Sequence, residues 1–515
     1  MKSLQSLILP FLILFLWLPV SHAQSVLPDN FESWIEDGMQ QWDIPGMAIG
    51  IVKDGEIVYT RGFGVRKLGE SGRVDENTQF GIASVSKHMA ASSLGILVDE
   101  GKLSWDDPVV KHIPWFRFND PHATEHVTVR DLLTHQVGVG RMLGNRLQFM
   151  TDRSRDELLY RMRYHEFEQP FRSQYVYSNM MYMLAGEVVE AITGKSWDEF
   201  MAERFFEPMG MSRSNTSIHD LDESNAAWPH QYIKGETVTI PRRSWDNASA
   251  AGGVNSTLTD MTRWMLMQLG TPGEFDGHTY VSARTMRDIQ TPQVSQNIGS
   301  VTAPLRGYGL GYGITDYEVV RVLSHGGATD GMNTTYMLIP EYEFGIIITT
   351  NVFTTFREAV AYTVIDHMLG IEDGNDWNRL FYTNYTSRYE TVKRQREEFE
   401  AKRIRNTRPS HALRNYTGSW HNDQYDNAEV RLEGSKLVLS LWDDTITGDL
   451  EHWHHNTFRI VWHNPAQREE FVKFDMNLEG EIDEMTIRFT LRPSLLQVGA
   501  YPTSYYRDVQ YQKID

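Results

Sequence analysis

The chain runs to 515 residues, 41% of them apolar and 12% aromatic, which is more than one hydrophobic core serves, so more than one domain is expected. A formal net charge of -19 is the reverse of the clustered positive charge that phosphate backbones require, so no nucleic-acid partner is expected, and solubility accounts for the acidity. The absence of cysteine excludes disulfides, thiolate nucleophiles, zinc-thiolate sites and a lipobox anchor, so any nucleophile carries oxygen or nitrogen.

Residues 1–23 read as a secretory signal: Lys2 gives the positive start, Leu7 to Val20 an apolar run, and Ser21-His22-Ala23 small residues for cleavage before Gln24. The run is shorter than the roughly 20 residues that span a bilayer, and Pro10 interrupts it. A periplasmic or secreted location without stable membrane insertion is therefore expected, with an uncleaved anchor as the alternative.

Met47 to Val52 and Glu56 to Tyr59 are β-prone runs joined through Asp54-Gly55, a strong hairpin signal. Three helical patterns follow. The first opens at Ser84, places Val85, Met89, Ser92 and Ile96 on one face, and ends at Gly101. The second carries Met181, Leu184, Ala185, Val188 and Ile192 and stops at Gly194; the third starts at Ser196, where Glu199 completes a capping box. Val319 to Leu323, Thr334 to Ile339 and Ile346 to Thr350 form a second strand set, with Pro340 and Gly345 bracketing a turn. Strands at both ends with helices between them predict an α+β fold: an antiparallel sheet closed by both termini, flanked by helices, with an all-helical insert.

Beyond Asp373 the character changes, and Lys393 to Arg405 is dense in alternating charge, as in a solvated helix or linker. From Leu413 short strands recur at Glu429 to Leu432, Leu437 to Leu441, Phe458 to Val461, Phe471 to Phe474 and Met485 to Phe489, which predicts a small antiparallel β-barrel or sandwich. The chain thus divides into a signal at 1–23, a main domain at 24–372, a charged helical linker at 373–409 and a β domain at 410–515.

Chemistry enters with Ser84-Val85-Ser86-Lys87 at a predicted helix start. Three residues of separation put Ser84 and Lys87 on one side of a turn, so the amine reaches the hydroxyl. A serine hydroxyl needs a base to become nucleophilic, and an ordinary lysine, with a pKa near ~10.4, serves only if burial or nearby positive charge lowers that value. Tyr177-Ser178-Asn179 precedes the second helix: a phenol beside an ammonium can relay protons, and the Asn179 amide can bond both Lys87 and substrate. His325-Gly326-Gly327 ends an apolar run and precedes Ala328. Two glycines at a strand end let a substrate backbone approach, and the backbone N–H groups of Ser84 and Ala328 would form an oxyanion hole.

Each piece alone is commonplace: Ser-x-x-Lys also reads as a helix cap, Tyr177 as a buried phenol, and the glycines as a turn. Together, Ser-x-x-Lys, Tyr-x-Asn and His-x-Gly in this order resemble the serine β-lactamase and penicillin-recognising superfamily, nearest its class C, esterase and D-peptidase branch. Ile44-Pro45-Gly46, Leu132-Leu133-Thr134-His135, Ala251-Gly252-Gly253-Val254 and Tyr308-Gly309-Leu310-Gly311-Tyr312 match as well, so the resemblance covers about 30–370. It implies a β-lactamase/transpeptidase-like fold and acyl transfer: attack by Ser84, proton transfer by Lys87 and Tyr177, substrate contacts from Asn179, His325, Gly326, Gly327 and Ala328, and no cofactor. Two departures stand out. His325 replaces the usual lysine of lactamases, and imidazole is largely neutral at pH 7, a weak partner for a β-lactam carboxylate. Val137 replaces a serine after His135. The tail, opening at Tyr416-Thr417-Gly418-Ser419-Trp420, resembles the lipocalin-like domain of some D-peptidase relatives.

Other signals carry less. His452 and His454 would share a strand face, but two imidazoles without a third ligand make no metal site. Gly194-Lys195-Ser196 lacks the upstream glycine of a phosphate loop, and no Gly-x-Ser-x-Gly elbow occurs. Ser86, the rival nucleophile, points away from Lys87 in a helix. The sequence therefore predicts an exported serine hydrolase whose partner is a small-molecule or peptide substrate, namely a D-amino-acid peptide, ester or lactam. A slowly turning-over penicillin receptor and an inactive scaffold are the alternatives.

Overall fold

The computed structural model describes residues 26–514 apart from 141–147, 149–150, 234, 297–305, 372–374, 443, 445, 466, 468 and 491–505. The secretory signal expected at 1–23 lies outside the described residues. Among them, no helix is long and apolar enough to cross a membrane.

The main domain is built on an eight-stranded antiparallel sheet: β1 (Gly46–Lys53), β2 (Glu56–Gly64), β3 (Val294–Ser295), β4 (Arg306–Tyr308), β5 (Gly313–Tyr317), β6 (Val320–Thr329), β7 (Met332–Ile339) and β8 (Phe344–Thr350), in the order β2-β1-β8-β7-β6-β5-β4-β3. The first strand pairs with the last, Ile49 opposite Ile348, so the N-terminal hairpin closes the sheet as expected. Asp54 and Gly55 both take positive φ, 53° and 79°, the tight geometry that an Asp-Gly hairpin adopts. One expectation fails. Gly345 lies inside β8, paired with Val52 and Leu338, and the turn after Pro340 closes instead at Glu343 with φ 43°. A side chain at 345 would press on Leu338, Val52 and Met265, which explains a glycine within a strand.

Alternate side chains of the sheet enter two apolar layers. Ile49, Ile51, Ile346 and Ile348 face α1 (Phe31–Gln41) and the C-terminal helix Phe356–Leu369, while Ala48, Val52, Leu338 and Ile347 belong to the layer on the other face. That second layer holds α2 (Ser86–Asp99) and the insert helices α3 (Arg155–Tyr160), α4 (Asn179–Thr193), α5 (Trp197–Met201), α6 (Ser249–Gly252) and α7 (Leu258–Gln268). Continuing in chain order, the helix at Phe356–Leu369 is α8 and a long helix at Trp377–Ala401 is α9. α2 is buried on all sides from Ser86 to Leu97, so its sequence shows no polar face. α4 ends at Gly194, and Ser196 with Glu199 forms the capping box of α5.

In α9 only Val392 is fully buried, which fits its run of charges. Its start is anchored by Trp377 Nε1 donating to Asp366 and Asn378 accepting from Trp42 Nε1; its end places Phe399 on Trp453 and Phe471. The tail is a closed eight-stranded antiparallel barrel of β9 (Gly418–Asn422), β10 (Asp426–Glu433), β11 (Lys436–Leu441), β12 (Ile446–His454), β13 (Thr457–Trp462), β14 (Glu470–Met476), β15 (Ile482–Thr490) and β16 (Tyr506–Lys513). Its neighbours are consecutive, and β9 meets β16 at Trp420 opposite Lys513. Trp420, Tyr416, Phe458, Phe474 and Tyr511 fill the interior. His452 and Trp453 accept from Arg403 through their carbonyls, so this histidine-rich stretch docks the end of the linker.

Inside the insert, Arg155 pairs with Asp198, and the Glu187 carboxylate lies 3.8 Å from it. Burial pushes the Glu187 carboxyl up to about 7 despite Arg155. Between its ordinary value of 4.5 and about 7, the folded protein keeps a proton that the unfolded chain has lost, so rising pH costs stability. Glu187→Gln removes that cost, about 3 kcal/mol at most. Thermal melts should show the variant matching the wild type near pH 4.5 and melting progressively higher through neutral pH. Parallel melting curves at all pH values would contradict this.

Candidate active site

Ser84 sits in a 3-10 turn, Ala83–Val85, that runs directly into α2; the expected α-helix thus begins two residues later than the sequence suggests. Ala83 takes φ 50°, strained for a residue with a β-carbon, and its small side chain lowers that cost. The turn is held from both sides: Ser86 Oγ donates to the Ala83 carbonyl at 2.7 Å and accepts from the Val254 N–H at 3.2 Å, while the Ile82 N–H donates to the Val254 carbonyl. Ser86 is fully used in bracing the turn that carries Ser84.

Lys87, the second residue of α2, has 0% exposure. Its Nζ lies 3.1 Å from Ser84 Oγ, 2.8 Å from Asn179 Oδ1 and 2.6 Å from the Ala251 carbonyl. An amide oxygen and a carbonyl can only accept. They therefore take two N–H bonds, which is all a neutral amine has, and the third tetrahedral position points at Ser84 Oγ. That position holds a proton when the lysine is charged and a lone pair when it is not. The faces of Tyr177 and Tyr182 lie 4.9 and 5.2 Å from Nζ.

Tyr177 donates its hydroxyl to Ser84 Oγ at 2.8 Å from the extended segment before α4. His135 fixes that segment: its ring lies 4.3 Å from the Tyr177 ring and its Nδ1 accepts the Ser178 N–H at 3.1 Å. His135 takes φ 60° at the end of the Leu132-Leu133-Thr134-His135 stretch. The sequence flagged that stretch, but no local pattern announced that its imidazole would lie against Tyr177. His88, next along α2, is stacked on Tyr312 and accepts from Trp264 Nε1; burial, and then the nearby His325, keep it neutral. Burial likewise keeps the Tyr182 and Tyr308 phenols protonated.

β6 brings the third motif. β5 pairs with it only from Val320 to Ser324, so His325 to Thr329 pair with β7 alone among the described residues and present an open edge beside Ser84. Gly327 packs so closely on the Ser84 turn that a β-carbon there would stand 2.1 Å from the Ile82 carbonyl oxygen. That contact explains the glycine and brings Ala328 alongside the turn. His325 is nearly buried: its Nδ1 donates to the Gly326 carbonyl at 2.9 Å, and its Nε2 lies 3.1 Å from the Tyr308 hydroxyl. All eight residues singled out in the sequence therefore come together around the Ser84 turn, and Ala251, His135 and Tyr308 join them. The Ala251 carbonyl escaped side-chain reasoning because its contribution comes from the backbone.

A model of the Beta-lactamase family matches residues 31–368. The chain belongs to the Beta-lactamase family. Residues 402–499 match a domain of unknown function, DUF3471. Among curated proteins, the chain is 26% identical to the unguisins hydrolase ungD' of Aspergillus campestris over 81% of its own length and 78% of that protein. It is 25% identical to unguisins hydrolase ungD of Aspergillus violaceofuscus, covering 69% and 67%, and 24% identical to protein flp of Staphylococcus aureus, covering 62% of each. Among solved structures it resembles the octameric penicillin-binding protein homologue from Pyrococcus abyssi, with a TM-score of 0.59 at 21% identity over 94% of this chain and 99% of that one. That likeness carries the fold.

A methyl group at Gly327 must drive β6 off the Ser84 turn. Displacing reacting groups by about 1 Å costs on the order of 100-fold in rate. Gly327→Ala should therefore slow labelling of Ser84 by a fluorophosphonate probe by about that factor while circular dichroism stays native. Wild-type labelling kinetics would show that the close approach has no bearing on the site.

Proposed function

We propose that the protein is an exported serine hydrolase that works through an acyl-enzyme on Ser84, taking carboxylic esters or D-amino-acid peptides in preference to β-lactams. The observation that carries the mechanism is the Lys87 environment: two acceptor-only partners at 2.8 and 2.6 Å and Ser84 Oγ at 3.1 Å. With the amine neutral, its lone pair takes the Ser84 proton as Oγ attacks the substrate carbonyl. The backbone N–H groups of Ser84 and Ala328 receive the negative charge that develops on the carbonyl oxygen. Tyr177, 2.8 Å from Oγ, delivers a proton to the leaving group as the tetrahedral adduct collapses, and the proton taken up by Lys87 replaces it, so that both side chains return to neutrality. Water then enters by the reverse proton path and frees the acid. The open edge of β6 pairs with the substrate backbone, and Asn179 orients it.

Substrate preference rests on His325. Both its ring nitrogens are engaged, with the Gly326 carbonyl and the Tyr308 hydroxyl. A ring committed in this way on both nitrogens is a poorer partner for a β-lactam carboxylate than the lysine usual in lactamases. The relatives named as unguisins hydrolases support a hydrolytic role, and the apolar run near the start of the chain supports export.

The test compares p-nitrophenyl esters, D-amino-acid p-nitroanilides and a chromogenic cephalosporin on wild type and Ser84→Ala. Ester or anilide turnover should exceed that of the cephalosporin, and Ser84→Ala should lose about 10⁴-fold or more. Equal rates for the two proteins would end the mechanism, and a cephalosporin turned over fastest would overturn the preference. Stoichiometric labelling without turnover would favour the receptor reading.

A further inference from the structure

Three features stand out beyond the Ser84 site. The groove between α9 and the barrel is walled by Trp453 and Phe471, which pack on the linker. The pocket beside Gly81 and Thr329 is lined by Arg242 and Arg243, which are paired to Glu223 and Asp330. The third, the ion-pair cluster at α3, leads into the reaction centre.

α6 ends one residue after Ala251, whose carbonyl accepts from Lys87 at 2.6 Å. The start of α6 is gripped by Arg155 of α3: its guanidinium donates to the Asp246 carbonyl at 2.6 and 3.2 Å and to Ser249 Oγ at 2.8 Å. Asp198 pairs with the same guanidinium from α5, and Glu187 faces it from α4. The two arginines flanking α3 turn the other way. Arg153 and Arg161 donate to Asp426 of the barrel at 2.8 and 2.6 Å, and Arg161 also donates to the Asp423 carbonyl. Glu157 of α3 pairs with both arginines, and the side chain of Gln424 contacts His165 in a buried junction.

We infer that Arg155 is a positioning residue that sets the Ala251 carbonyl on which Lys87 depends, and that the barrel, through Asp426, holds the helix carrying Arg155. This rests on the acyl-enzyme reading above. If the carbonyl drifts, Lys87 loses one of the two acceptors that direct its third position at Ser84, and its charged form loses more than its neutral form. The groups around Lys87 are Asn179, Tyr177, Tyr182 and the neighbouring His88; those acting on Arg155 are Asp198, Glu187 and Glu190.

The experiment uses the full chain and compares wild type, Arg155→Ala, Arg155→Lys and Asp426→Asn. Active sites are titrated with a fluorophosphonate probe, and kcat/KM for a p-nitrophenyl ester is followed against pH per titrated site. Arg155→Ala should lose roughly tenfold or more in kcat/KM per site, and the acid limb of its profile should move to lower pH. Arg155→Lys should recover part of both effects, and Asp426→Asn should show a smaller shift in the same direction. If Arg155→Ala lowers only the melting temperature or the titrated fraction, with an unchanged profile per site, Arg155 is merely structural and the proposal fails. A shifted Arg155→Ala with a wild-type Asp426→Asn would remove the barrel from it. A wild type that never labels would overturn the acyl-enzyme reading itself, which the other outcomes leave standing.

Discussion

Lys87 is buried without exposure, and its amine meets an amide oxygen, a peptide carbonyl and the Ser84 hydroxyl. Burying an amine demands partners for its N–H groups. Here the two obligatory acceptors come from α4 and α6, separate segments of the insert, and the remaining direction falls on Ser84. The insert, the turn at Ala83 and the open edge of β6 are arranged around that one requirement. Because α2 is buried on all sides, neither Ser84 nor Lys87 can move without disturbing the core.

The architecture divides the labour. The sheet supplies a rigid floor, closed by the hairpin pairing β1 to β8, and its β6 edge runs past the 3-10 turn at van der Waals distance. The rings of His135, Tyr182 and Tyr308 fix the Tyr177 phenol beside Ser84, and burial keeps the Tyr182 and Tyr308 phenols protonated. The barrel, with its interior filled by aromatic side chains, touches the main domain through charged and polar contacts at α3 and through the end of α9.

Much of this was legible in the sequence wherever the signal was local. Asp54-Gly55 and the Ser196/Glu199 box are short-range chemistry, and the three motifs name the side chains that meet at Ser84. Signals failed where tertiary context decides. Gly345 reads as a turn residue but sits in a strand because Leu338, Val52 and Met265 leave no room for a side chain. β9, β12 and β16 carry glycine, histidine or alternating polar residues, and only closure of the barrel makes strands of them. The Ala251 carbonyl and the pairing of Arg153 and Arg161 with Asp426 have no sequence signature, since one is backbone and the other joins residues far apart in the chain.

The central claim is that an amine aimed at Ser84 Oγ generates the nucleophile. Rapid-quench mass spectrometry with a p-nitrophenyl ester addresses it directly. The account predicts one acyl group on the peptide containing Ser84, forming within the first turnover, and formation slowed by orders of magnitude in Lys87→Met, a variant of similar length without the amine. An adduct on another residue, or one that forms on Ser84 at the wild-type rate without the Lys87 amine, would contradict it.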